Sequence, residues 1–139
     1  MEQVVFESVS YGAVCQNCGA QLECQGTQVL VGGRLRWDVE AKCSACGWAA
    51  AVCGGMVPAE RRDQMLAEHG PARLYVSSPA ASVVAIMRML RAELGVDLTT
   101  AKAVARRVMT GDYAGTLPEM EHLARKLREC GITATAKRP

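Results

Sequence analysis

Cys15-Gln16-Asn17-Cys18-Gly19-Ala20 and Cys43-Ser44-Ala45-Cys46-Gly47-Trp48 are two copies of one pattern, C-x-x-C-G. In each copy two thiols share one tight turn, and the glycine that follows lets the backbone fold back with a positive φ. Together the two turns offer four soft ligands, the number that a tetrahedral zinc ion takes. A redox dithiol pair and ordinary disulfides are the competing uses of such cysteines. Four sulfurs leave no open coordination position for catalysis, so the expectation is a structural Zn2+ held by Cys15, Cys18, Cys43 and Cys46.

Working outward, the 24 residues from Gly19 to Lys42 are enough for a β-hairpin that returns the second knuckle to the first. Gln28 to Val31 is largely apolar and β-branched, and Gly32-Gly33 is a two-residue turn signal. Leu35, Trp37 and Val39 then alternate with Arg34, Arg36, Asp38 and Glu40, which gives one buried and one wet face. With a last strand over Trp48–Cys53, residues 1–55 read as an N-terminal β zinc ribbon. A ribbon of this size has too little core to stand alone, so the metal must stabilise it.

Cys24, Cys53 and Cys130 have no partner at metal-binding spacing and read as small buried side chains or unpaired thiols. Seven cysteines is an odd count, and Met1-Glu2-Gln3-Val4 opens no positively charged region leading into a long apolar run. The expectation is therefore a cytoplasmic protein with no signal peptide and no membrane span.

Gly54-Gly55 and Pro58 open a helical segment, Ala59 to His69, which Gly70-Pro71 closes, so residues 56–72 are expected to form a connecting helix. Its Val57, Met65 and Leu66 are placed to cover either flanking core. From residue 73 to 139 the pattern changes. Leu74-Tyr75-Val76 reads as a strand, Ser82 can cap a helix that runs to Leu94 before Gly95, and Asp97 caps a second helix carrying Leu98, Ala101, Val104, Ala105 and Val108. Thr116 and Glu119 form a capping box for a third helix that ends at Cys130-Gly131, and Ile132–Ala136 alternates as a closing strand. The fold class is thus α+β, with a ribbon followed by a β-α-α-α-β domain whose helices lie on one face of a small sheet.

Residues 73–137 resemble the C-terminal domain of the bacterial large-subunit ribosomal stalk protein. The resemblance rests on Ser82-Val-Val-Ala-Ile-Met-Arg-Met-Leu-Arg-Ala-Glu-Leu-Gly95, on the capped helix that carries Ala101-Lys102, and on Glu121-His-Leu-Ala-Arg-Lys-Leu-Arg-Glu-Cys-Gly131. It implies the fold, and it implies a protein partner among translational GTPases or ribosome components. Carried over by position, the partner-binding residues are Val84, Met87, Arg88, Arg91 and Lys102. The lysine that usually precedes this patch is Val83 here, and the stalk protein's dimerisation region and alanine-rich hinge are replaced by the ribbon. Helical geometry agrees: at about 100° per residue Val83, Ile86, Leu90 and Leu94 form one stripe, and Val84, Met87, Arg88 and Arg91 cluster on an adjacent face.

Charge is uneven along the chain. Residues 1–72 hold five Lys or Arg against eight Asp or Glu, whereas residues 73–139 hold eleven against six. The basic half suits an acidic partner but lacks the stripe of a dedicated nucleic-acid binder, and few aromatics are available to stack bases. His69 and His122 have no nucleophile or carboxylate at motif spacing, and no phosphate-cradling loop is present, so the chain does not read as an enzyme. Three roles remain: a zinc-binding adaptor or regulator that binds a translation factor, the ribosome or another protein, an immunity-type antagonist that binds a toxin or nuclease, and a zinc-ribbon nucleic-acid binder using Arg34 and Arg36.

Overall fold

The structure, a computed structural model, describes residues 3–77 and 83–139. The expected helix cap at Ser82 lies outside the described residues. The chain is mixed α/β and divides into two compact units, Met1–Gly70 and Pro71–Pro139. The helix expected as a connector is thus counted with the first unit.

The first unit is an antiparallel sheet of β1 (Val5–Val14), β2 (Gln21–Val31), β3 (Arg34–Lys42) and β4 (Ala49–Val52) in sequential order, followed by α1 (Ala59–His69). The β2–β3 hairpin turns at Gly32-Gly33, both with positive φ, and pairs Val31 with Arg34. Its strands extend well beyond the hairpin read from the sequence, to Gln21 at one end and Lys42 at the other. Because register fixes the face, Val9, Tyr11, Leu22, Cys24, Gly26, Leu30, Trp37, Val39 and Ala41 all point to one side. There Met65 of α1, with no exposed surface, packs with Val9 and Trp37, flanked by Val57 and Val39. Gly26 is needed on this face because the Trp37 ring lies where its Cβ would be.

Polar bonds hold α1 along β1. Gln64 Nε2 donates to the Ser10 carbonyl at 2.8 Å, His69 Nε2 meets the Ser8 carbonyl at 2.7 Å, and the Arg61 guanidinium lies 4.3 Å from the Tyr11 ring centroid. Ser8 and Ser10 are alternate residues of an edge strand, so their carbonyls point away from β2, and the helix side chains satisfy them in place of a further strand.

The second unit has β5 (Ala72–Val76), α2 (Val83–Leu94), α3 (Leu98–Thr110), β6 (Ala114–Gly115), α4 (Leu117–Glu129) and β7 (Ala134–Lys137), with the antiparallel sheet order β6-β5-β7. Ala72, Leu74, Val76, Ala134 and Ala136 form one face of this sheet, and the helices pack there around Ile86, Leu90, Val108, Leu123 and Leu127. The short β6 is additional to the elements read from the sequence. Ile132 is buried but precedes the last strand.

The caps are those the sequence specifies. Asp97 Oδ1 accepts the Thr100 N–H at 2.8 Å. Thr116 Oγ1 accepts the Glu119 N–H at 3.3 Å, and Glu119 Oε1 accepts the Thr116 N–H at 3.1 Å. The α2 stripe needs correction: Ile86, Met89 and Leu90 are buried, whereas Val83 and Leu94 are 42% and 40% exposed. At about 100° per residue the arc spanned by Met89, Ile86 and Leu90 is centred near Ile86 on the Met89 side, and Val83 and Leu94 fall some 60–80° to the other side. Leu98, in the first turn of α3, is likewise exposed.

Candidate metal centre

Both knuckles sit where one strand hands over to the next. The first joins β1 to β2: Cys15 N–H donates to the Ala20 carbonyl at 2.8 Å and Gly19 N–H to the Cys15 carbonyl at 2.8 Å. The second, between β3 and β4, repeats this geometry. Cys43 N–H donates to the Trp48 carbonyl at 2.7 Å and Gly47 N–H to the Cys43 carbonyl at 2.9 Å. Gly19 and Gly47 have φ of 78° and 79°, a region that a Cβ disfavours. The matching backbones follow from the matching sequences, and the antiparallel sheet brings the two turns side by side.

The four sulfurs of Cys15, Cys18, Cys43 and Cys46 lie within 4.8 Å of one another. Cys15 Sγ is 3.8 Å from Cys46 Sγ, and Cys18 Sγ is 3.6 Å from Cys43 Sγ. These two distances share no atom, so they are opposite edges of the sulfur tetrahedron. A zinc–sulfur bond of about 2.3 Å requires edges of about 3.8 Å, and the donor set therefore fits a tetrahedral thiophilic ion. Cys15 and Cys43 are buried against Leu22 and Cys24, with Tyr11, Ala20 and Ala41 around them, while Cys18 and Cys46 face solvent.

Donors reach the two exposed sulfurs, with opposite net outcomes. Asn17 Nδ2 points to Cys46 Sγ at 3.4 Å. That bond, with one from the Trp48 backbone, lowers the Cys46 thiol to about 6. At Cys18 the Ala20 backbone bond lowers the pKa, but hydrogen bonding to Cys43, desolvation, and bonding to Cys46 and Cys15 together push it up to about 12. Four thiols this close cannot all ionise without a cation among them, and a divalent ion bound there would supply the missing positive charge. Asn17 and the Ala20 and Trp48 amides are functional groups that the cysteine pattern does not name. The only sequence signal is an amide-bearing residue inside one C-x-x-C turn.

The remaining cysteines are apart from the cluster of four. Cys24 is buried on the sheet face beside it, and Cys53 and Cys130 are exposed. The residues expected to bind a partner lie on α2 and α3. Val84 is 63% exposed, Arg88, Arg91 and Lys102 are exposed, and Met87 is half-buried against the core of the second unit. Arg36, a candidate phosphate contact, is paired with Asp38 at 3.1 Å. Among the described residues no helix is long and apolar enough to cross a membrane. Comparison of the chain with family models, with curated proteins and with solved structures finds no significant match.

Proposed function

We propose that the chain is a non-catalytic, zinc-binding adaptor: its first unit is a zinc ribbon, and its second, stalk-like unit binds a protein partner through Val84, Met87, Arg88, Arg91 and Lys102. The observation that carries this reading is the outer face of α2. Val84 stands open to solvent there, about one turn before Arg88 and two turns before Arg91 on the same side of the helix, with Lys102 exposed on α3, which packs against α2. Arg88 and Lys102 form no ion pair among the described residues. The nearest acid on α2, Glu93, is turned to His122 and Lys126 of α4. A large exposed apolar side chain on the same helix side as the unpaired cation Arg88 suits a protein surface with matching acids. The stalk resemblance makes a translational GTPase or ribosome component the partner to seek first.

The test is capture of the native complex on the zinc-loaded chain, with the bound proteins identified by mass spectrometry. A stoichiometric protein bound by the wild type and lost with Val84→Asp or Arg88→Glu is the expected result. Binding that those substitutions leave intact, and that instead falls steeply with salt and depends on Arg34 and Arg36, would replace this reading with nucleic-acid binding. A partner toxin neutralised one-to-one would keep the surface and make the protein an antagonist.

A further inference from the structure

The two borders of the first sheet are finished differently. Along β1 the side chains of Gln64 and His69 occupy the outward carbonyls of Ser10 and Ser8. Along β4 the described residues place no further strand. The phase of the ladder fixes which groups lie open on that side. Cys43 N–H donates to the Trp48 carbonyl, and Trp37 N–H donates to the Gly55 carbonyl at 3.2 Å, so the odd-numbered residues of β3 direct their backbone bonds toward β4. With Ala41 opposite Ala50 and Val39 opposite Val52, the even residues of β4 answer them. Ala49 and Ala51 therefore turn N–H and C=O outward, and both are exposed.

We propose that this border is a self-pairing edge: β4 takes β4 of a second copy of this chain in antiparallel register, about a twofold axis at Ala50. Three features favour a second copy over an unrelated strand. Ala49-Ala50-Ala51-Val52 carries no charge, so two copies meet without like-charge opposition. The strand is short, at four residues, but it carries no lysine, proline or bulge to protect the edge. The register that pairs Ala49 with Ala51 of the second copy also sets Trp48 opposite its Val52, and the reverse. Trp48 and Val52 are 39% and 63% exposed and lie on the same side of the strand as Ala50, whose small side chain leaves room between them. One contact thus satisfies the outward backbone groups and covers two exposed apolar side chains twice over, as a self-complementary interface does. The interface is small, so the dimer is weak, with a Kd of the order of 10–100 μM. It involves the first unit alone and does not depend on the partner surface of α2.

Sedimentation velocity of the zinc-loaded full chain, from about 10 μM to about 1 mM to bracket that affinity, tests it. The expected result is a weight-average mass that rises from 14.9 kDa toward twice that value. Ala51→Pro removes an outward N–H and leaves the β3 ladder intact, and Val52→Lys puts a charged edge residue opposite Trp48 of the other copy in place of the apolar contact, in both halves of the interface. Each should hold the chain at monomer mass over the same range, with zinc content and circular dichroism unchanged. Should Ala51→Pro fail to fold, Val52→Lys carries the test by itself. A wild type that stays monomeric throughout, or a dimer that persists in Val52→Lys, overturns the proposal.

Discussion

Asn17 Nδ2 reaches across from the first knuckle to Cys46 Sγ of the second, 3.4 Å away, so that an amide from one turn steadies a sulfur of the other. Such outer donors orient ligands and raise metal affinity. Removing one commonly costs ten- to a hundredfold. Asn17→Ala is therefore expected to weaken zinc binding by about tenfold in competition with a chromogenic chelator, while the folded metal-bound form keeps its circular dichroism.

Metal removal should act on one unit. Protein purified without added metal is expected to contain about one zinc per chain by elemental analysis. Cys43→Ser, which withdraws a buried ligand, should abolish that content and unfold the first sheet. The second unit has its own core around Leu74 and Leu90 and should keep its thermal transition. Simultaneous loss of both transitions would show that the units do not fold independently.

Gly26 and Trp37 make a separable prediction. The indole lies over the glycine, diagonally across the β2–β3 pair, and a methyl group there has nowhere to go. Gly26→Ala is expected to destabilise the first unit by about 1–3 kcal/mol, the usual cost of forcing extra volume into a packed site. Urea titration read by tryptophan fluorescence should show a lower midpoint with an unchanged slope.

Acid should loosen α3 through Asp97. Backbone and hydroxyl bonds from Thr100, with help from Arg91, hold this carboxyl below its ordinary 3.8. A depressed folded-state pKa means that the stabilisation is fully present above 3.8 and is lost as the pH falls through the lower folded value. Asp97→Asn retains a capping acceptor without the charge. The second unit should therefore be somewhat less stable than wild type in this variant at neutral pH, and the difference should close below pH 3.8, as followed by urea unfolding at several pH values.

Much of this architecture was legible because short-range chemistry dictates it. The C-x-x-C-G turns, the Gly32-Gly33 hairpin, the Asp97 cap and the Thr116–Glu119 box each act over a few residues, and each takes the geometry its residues require. What escaped notice depends on distant partners. β1 is hard to see because one of its inward positions is Glu7, buried opposite Gln28, which breaks the apolar alternation that marks a half-buried strand. On α2, periodicity alone points to the stripe Val83, Ile86, Leu90 and Leu94, whereas packing against α3 and α4 buries Met89 with Ile86 and Leu90 and leaves Val83 and Leu94 exposed. The sulfur cluster was legible in its ligands but not in its surroundings, since Asn17 carries no signal until the second knuckle is beside it.

The helix laid along β1 has a consequence for growth. A sheet open at both sides can add copies without end and build filaments, whereas α1 blocks one side of this one through Gln64 and His69. Any assembly by strand addition at β4 must then terminate after a single event. The same short helix that completes the fold around Met65 acts as a stopper against runaway polymerisation.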